Sequence, residues 1–553
     1  MTSGVSDSRR PGSLPVSDVL LGTLGLSLEY TGADGSTFSA LRHVTLELRG
    51  HETLGILGES GSGKSSLSHA ILRLLPPNAK ITAGEIKYSG DNILHLNTRQ
   101  LRQVRGAGIA LIAQEPALAL NPVLAIDKQI IDVLRAHCRV SKQEAMDRTR
   151  AMLREVGFAD PERVGRAYPH QLSGGQRQRA AIAQALICKP RVLIADEPLS
   201  SLDAVTQAEI LELLKKLKHD LHLGMIFVTH NSGVLYGLAD RVAVMRDGEI
   251  QACGTLQQLA QGSDDYVRGL MFPERNIATT GPSTPPGRAA STSAEPLVRL
   301  KKVSKHFLQQ RFLSRSAFQV QALKDINLEI PEGGSVAVIG RSGSGKTTLA
   351  RCIAGFETPD QGQILFAGKP RSNNRSDIQL IFQDAGTALN PRFTAAEAIR
   401  EPLDIARRAP FSQRQERALQ LMQETGLDAG WAERKVGEFS GGQRQRIAIA
   451  RALAVEPRML ILDESLSGLD LPLQAQILRL LMDLQARHGL TFLHITHDLS
   501  FLPSFADQVV IMDQGAIVET GSPAALLESS QPATRSLIAA SERLHVAGVE
   551  VAL

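Results

Sequence analysis

Leu172-Ser173-Gly174-Gly175-Gln176-Arg177-Gln178-Arg179 runs on into Arg191-Val192-Leu193-Ile194-Ala195-Asp196-Glu197. The chain then repeats itself, as Phe439-Ser440-Gly441-Gly442-Gln443-Arg444-Gln445-Arg446 leads into Met459-Leu460-Ile461-Leu462-Asp463-Glu464. A serine and two glycines opening a helix form an anion site, because free backbone N–H groups and the positive helix end converge there. An apolar strand ending in two carboxylates is the pattern of a magnesium and water site. Both pieces recur 267 positions on, from 173 to 440 and from 196 to 463, so the chain carries a duplicated machine.

Upstream, each copy has a glycine loop between an apolar strand and a helix. In the first half Thr53-Leu54-Gly55-Ile56-Leu57 precedes Gly58-Glu59-Ser60-Gly61-Ser62-Gly63-Lys64-Ser65-Ser66, and Leu67, Ala70, Ile71 and Leu74 follow at helical spacing. In the second half the loop is Gly340-Arg341-Ser342-Gly343-Ser344-Gly345-Lys346-Thr347-Thr348. Such glycines let the backbone wrap phosphates, Lys64 and Lys346 neutralise the β and γ groups, and Ser65 and Thr347 offer a hydroxyl to Mg²⁺. Residues 24–48 alternate β-type runs with turn residues, which predicts a small antiparallel sheet. Residues 121–171 read as mainly helical, with Ser141 and Glu144 in the form of a capping box; Ser412 and Gln415 repeat that form.

The totals agree with two domains. A chain of 553 residues with 43% hydrophobic composition can bury more than one core. Sixty-one Lys and Arg against 57 Asp and Glu give a net charge of +4, a near-balance that does not suit a dedicated nucleic-acid binder. Cys138, Cys188, Cys253 and Cys352 lie far apart in sequence without zinc or iron–sulfur spacing, so reduced thiols are expected. Residues 1–17 lack the apolar run of a secretory signal, and no stretch approaches the ~20 apolar residues that cross a bilayer. Residues 274–297 are rich in Pro, Gly, Ser, Thr and Ala, as in a flexible linker. The expected division is a tail at 1–17, a first domain at 18–273, the linker at 274–297, a second domain at 298–540 and a tail at 541–553.

Further residues join the two sites by spacing. Asp196 and Asp463 end apolar strands, where a carboxylate is costly unless paired or near a metal. Glu197 and Glu464, one residue on, are placed to orient or deprotonate an attacking water. His230 and His497 each stand 34 positions after their aspartates (196 to 230, 463 to 497), which favours a shared role near the γ-phosphate over a structural one. Gln114 and Gln383 follow strand-like runs and precede Leu120-Asn121-Pro122 and Leu389-Asn390-Pro391. Tyr30 and Phe307 are aromatics upstream of the glycine loops, open to stacking on adenine or to core packing. His170 lacks a counterpart, since Gly437 stands there, and takes the structural reading.

Assembled, these residues resemble the ATP-binding-cassette (ABC) ATPases, with two cassettes fused in tandem. The matching motifs are the two P-loops, Gln114 and Gln383, the two Ser-Gly-Gly-Gln signatures, the Asp-Glu pairs, Ser201-Leu202-Asp203 and Gly468-Leu469-Asp470, and the two histidines. The resemblance implies an α/β fold: two P-loop NTPase domains, each with a RecA-like core, an antiparallel β subdomain and a helical subdomain. The glutamine segments and Tyr168-Pro169-His170 look most like dipeptide, oligopeptide and nickel importer ATPases. That likeness implies ATP hydrolysis with Mg²⁺, coupled to uptake through two permease subunits and an external binding protein, at the cytoplasmic face of the membrane.

Family architecture further implies two composite sites. One takes Lys64, Ser65, Gln114, Asp196, Glu197 and His230 with Ser440, Gly441, Gly442 and Gln443. The other takes Lys346, Thr347, Gln383, Asp463, Glu464 and His497 with Ser173, Gly174, Gly175 and Gln176. Metal contacts fall to Ser65, Gln114 and Asp196, and to Thr347, Gln383 and Asp463. Two departures from the pattern leave every reacting group in place: Ser465 stands where the first half has Pro198, and Asn231 where the second has Asp498. The cysteine cluster of some peptide-importer ATPases is absent. Nickel or metal chelates are alternative cargoes. A soluble twin-cassette ATPase acting on ribosomes or DNA would carry a longer charged inter-cassette helix or a basic arm, and the Leu-Asn-Pro segments argue against an exporter.

Overall fold

The computed structural model describes residues 19–545 except 33–34, 201, 272–294, 311–316, 371–375, 383–384, 407–408, 467–468, 470, 498 and 500–501. Two compact units emerge, the first built mainly from residues before 264 and the second mainly from those after.

In the first unit, β1 (Val19–Thr31) and β2 (Thr37–Arg49) form a long antiparallel ribbon, and β4 (Ala79–Tyr88) and β5 (Asp91–Asn92) extend it in the order β2-β1-β4-β5. The predicted short runs are thus 13-residue strands, bent by register shifts near Leu26 and Leu28. The second sheet contains β3 (Thr53–Gly58), β6 (Ile109–Ile112), β7 (Val192–Asp196), β8 (Gly224–Thr229), β9 (Arg241–Arg246) and β10 (Glu249–Gly254). Its order is β10-β9-β3-β8-β7-β6, with only the β9–β10 pair antiparallel. Every residue of β3, β7 and β8 is buried, as befits parallel strands covered on both faces. Leu67, Ala70 and Ile71 of the helix Lys64–Ile71 join the core shared by this sheet and the β1–β2 ribbon. Leu74 lies past that helix and is exposed, so the predicted apolar face is one turn shorter than its spacing suggests.

The second unit repeats the plan. β11 (Val298–Gln310), β12 (Ala317–Ile330), β14 (Gln361–Phe366) and β15 (Lys369–Pro370) form the antiparallel sheet. β13 (Ser335–Gly340), β16 (Ile378–Ile381), β17 (Met459–Asp463), β18 (Thr491–Ile495), β19 (Gln508–Asp513) and β20 (Ala516–Gly521) form the other, ordered β16-β17-β18-β13-β19-β20.

The helical stretch is present in both units, with Ile126–His137 and Lys142–Glu155 matched in length by Ala395–Ala406 and Phe411–Glu424. The caps differ from expectation. Ser141 accepts from Glu144 N, but that half of the box stands alone because the Glu144 carboxylate pairs with Arg148. Ser412 caps nothing: its helix starts at Phe411 behind Pro410, and Gln415 accepts from Arg400 instead. Of the predicted linker, 274–294 lies outside the described residues, as do 1–17 and 546–553. The final helix, Pro532–His545, runs past residue 540, where a tail was expected, because Leu537, Ala540 and Leu544 bury one continuous stripe.

Phe227 on β8 is among the largest fully buried side chains. Phe227→Ala is expected to cost about 3–5 kcal/mol through lost burial and the cavity left behind. A lowered denaturant midpoint for the first unit's unfolding transition would register it.

Candidate active site

Both glycine loops sit where β3 and β13 end and their helices begin. Gly63 and Gly345 each have φ 101°, and a Cβ there would lie 2.5 Å from Ala40 O and 2.4 Å from Ala322 O. Only glycine meets both demands. The lysines are buried and turned back over their own loops. Lys64 Nζ donates to Gly58 O and Glu59 O at 2.8 Å, and Lys346 Nζ to Gly340 O at 2.7 Å and Arg341 O at 3.1 Å. Burial pulls Lys346 below the usual ammonium range, and the Glu464 carboxylate opposes that shift. Ser62 and Ser344 are buried within the loops, whereas Ser60, Arg341 and Ser342 are exposed.

The strand-end aspartates face the hydroxyls that follow the lysines. Ser65 Oγ donates to Asp196 Oδ1 at 3.2 Å, and Thr347 Oγ1 to Asp463 Oδ1 at 3.3 Å. Desolvation by burial raises both carboxyls above their usual range. A buried carboxylate beside a hydroxyl fits a hard divalent cation that draws its remaining ligands from phosphate and water. No group of three or more His, Cys, Asp or Glu among the described residues is arranged to hold a metal by protein ligands alone.

Glu197 and Glu464 have left-handed backbones, φ 45° and 47°, which is rare outside glycine. Their amides donate across to the neighbouring strand, Glu197 N to Val228 O and Glu464 N to Ile495 O, both at 3.0 Å. This turn, which lifts each acid off its strand end, leaves no mark in the sequence. Gln114 Nε2 donates to Glu197 Oε2 at 3.0 Å, and His230 Nδ1 lies 3.3 Å from Glu197 Oε1. Burial opposes ionisation of Glu197, but His230, Lys64 and Gln114 outweigh it and hold the carboxyl below its usual range. In the second unit His497 follows β18 and is half-buried, while Gln383 lies outside the described residues.

The signature serines sit exposed at their helix starts. Ser173 caps Gly174–Leu186 and Ser440 caps Gly441–Leu453, and Gln176 and Gln443 return the bond to complete capping boxes. Gly174, Gly175, Gly441 and Gly442 supply the first-turn backbone of these helices. One arginine in each copy ties the signature helix to the end of Lys142–Glu155 or Phe411–Glu424, with Arg179 Nη1 on Val156 O at 3.0 Å and Arg446 Nη1 on Thr425 O at 2.8 Å. Gln129 holds the Leu120-Asn121-Pro122 turn through Asn121 and Leu124. Tyr30 is half-buried, with its hydroxyl 3.2 Å from Ser66 Oγ, which places it against the glycine-loop helix. Phe307 lies on β11 with Lys305 Nζ 5.4 Å from its ring centroid. Thr348 is half-buried in the second loop's helix, and His170 stacks on Tyr168 at 5.8 Å.

The ABC transporter family matches residues 41–200 and 323–467. The chain is 40% identical over 521 residues to the peptidoglycan transport ATP-binding protein YejF of Agrobacterium fabrum (strain C58 / ATCC 33970), covering 92% of this chain and 94% of that one. It is 38% identical over 568 residues to the glutathione import ATP-binding protein GsiA of Salmonella choleraesuis (strain SC-B67), covering 95% and 91%. The solved cassette MJ0796, a bacterial ABC transporter cassette determined as a dimer, is 30% identical over 42% of this chain and 98% of its own, with a TM-score of 0.39.

Because the Asp196 carboxyl is raised, its deprotonation is less favourable in the folded chain than in the unfolded one. This penalty is complete above the folded-state value and vanishes below the ordinary value of 3.8, where both states are protonated. Asp196→Asn, without nucleotide, is therefore expected to melt higher than the parent at pH 7. Calorimetry should show the gap narrowing as pH falls toward 3.8.

Proposed function

The chain belongs to the ABC transporter family of ATPases, and we propose that it is the ATP-hydrolysing subunit of an importer of peptides. The observation that carries this reading is near full-length similarity to two transport ATPases whose names specify peptidoglycan and glutathione. Both cargoes contain short peptides. The substrate itself would be selected by an external binding protein and two permease subunits. No helix among the described residues is long and apolar enough to cross a membrane. The proposed place of the chain is peripheral, on the cytoplasmic face of the inner membrane beneath its permeases. The two domains are assigned to 18–273 and 298–540, the second extended to 545 by its final helix.

In this reading the backbone amides of each glycine loop enclose the β- and γ-phosphates, and Lys64 or Lys346 exchanges its carbonyl partners for phosphate oxygens. Ser65 with Asp196, and Thr347 with Asp463, would hold Mg²⁺, with Gln114 and Gln383 as further contacts. When bound, that ion supplies positive charge to the phosphates. Glu197 and Glu464 take a proton from the attacking water, and a carboxyl kept below its usual range, as at Glu197, is ready to do so at neutral pH. His230 orients Glu197 and faces the γ-phosphate; His497 takes the same part in the second cassette. Ser173 to Gln176 and Ser440 to Gln443 present helix N-termini to the nucleotide held by the other cassette's glycine loop. Tyr30 and Phe307 flank the adenine.

Changing Glu197 and Glu464 together to Gln is expected to abolish turnover while ATP binding persists, since the amide keeps its shape but accepts no proton. Undiminished phosphate release would show the base to be misassigned. The cargo is tested by reconstituting the chain with its permeases and binding protein in vesicles. ATP-dependent uptake of labelled glutathione or dipeptides supports the proposal, and uptake confined to nickel or its chelates overturns it.

A further inference from the structure

Gln445 is buried in the signature helix Gly441–Leu453, and its Nε2 meets no acceptor. Its counterpart 267 positions earlier, Gln178, is buried in Gly174–Leu186 with Nε2 likewise unpartnered. A buried primary amide with unused donors is unfavourable, and an apolar side chain of the same shape would pack there at less cost. The same costly atom in the same register of both copies indicates a group held for a partner that another state supplies.

Its neighbours point to that partner. Gly442 precedes Gln445 by three residues and shares its helix face. A Cβ on Gly442 would lie 2.3 Å from Leu473 Cδ2, so this face packs against the first turn of Leu471–His488. That helix follows the turn that begins with Glu464, Ser465 and Leu466. Ser465 and Leu466 are both buried, and Ser465 Oγ also has no partner. Leu466 O already accepts from Leu469 N at 3.1 Å and Leu469 O from Gln474 at 2.9 Å, and in the first cassette Leu199 O accepts from Gln207 at 3.0 Å. The first cassette has Pro198 and Leu199 in the corresponding places, and proline keeps its carbonyl acceptor.

We propose that Gln445 is a positioning residue: with ATP bound, its amide donates to the backbone carbonyl of Ser465, the residue after the acid that activates water. Gln178 has the same role in its own cassette. The bond joins the helix whose N-terminus serves one nucleotide to the segment that carries the base for the other. It rests on ATP turnover and not on the peptide reading, so loss of either leaves the other standing.

The test uses the full chain with Gln445→Met and Gln178→Met, separately and together, since methionine matches the length of glutamine and carries no donor. Without nucleotide, the melting temperature should stay level or rise. The ATPase kcat should fall roughly fivefold to tenfold, the equivalent of one hydrogen bond, with KM for ATP little changed. Unchanged kcat in both single variants, or a fall in kcat matched by a fall in melting temperature, would overturn the proposal. Should a variant fail to fold, hydrogen exchange on the unaltered chain decides. Peptides spanning Ser465–Leu473 should exchange more slowly with the non-hydrolysable analogue AMP-PNP than without it, and equal exchange sinks the idea.

Discussion

The carboxylates of Asp196 and Asp463 end strands buried on both faces, where ionisation is unfavourable and a hydroxyl from the glycine-loop helix is the nearest relief. Much of each unit's layout serves that juxtaposition. The strand leading to the glycine loop is separated from the acid-bearing strand by one other, β8 or β18, so loop and acid open at the same sheet edge. The antiparallel ribbon packs against the glycine-loop helix from one side, and the helical stretch covers the acid-bearing strand from the other. In the proposed mechanism a cation arriving with nucleotide would relieve this buried charge, so an arrangement that is costly by itself would favour binding.

Strand, glycine loop and helix were legible in the sequence because continuous apolar runs and a fixed motif leave few other structures for residues 53–71. The signature was legible too, since Ser173 and Gln176 are both the motif and the cap. Where the reading failed, long-range contacts outweighed local pattern. Ser412 and Gln415 have the letters of a capping box, yet Pro410 sets the helix start and Arg400 claims the glutamine. Leu74 keeps helical spacing, but the helix has ended at Ile71. The left-handed turns at Glu197 and Glu464 depend on their amides donating to carbonyls of a strand about thirty residues away in sequence, which no local pattern encodes.

The duplicated halves diverge unevenly. The offset between them is 282 at the lysines (64 to 346), 269 at the glutamines that precede the Leu-Asn-Pro segments (114 to 383), and 267 from signature to histidine (173 to 440, 230 to 497). Length is held where strand register fixes distances between reacting groups, and lost in the stretch between the glycine loop and Gln114. Side chains near the acids differ: Ser465 stands where the first half has Pro198, and His494 on β18, buried against Phe505, stands where β8 has Phe227.

The bonds from Glu197 N to Val228 O and from Glu464 N to Ile495 O have a mechanical consequence. Each extends the pairing of two parallel strands by one residue, into the turn that holds the acid, and the partner strand leads directly to the histidine. The acid and the imidazole are therefore mounted on a single stiff bracket. Motions that open or close the surrounding helices can carry this pair as a rigid body, while separating its two members would require breaking the pairing between two inner strands.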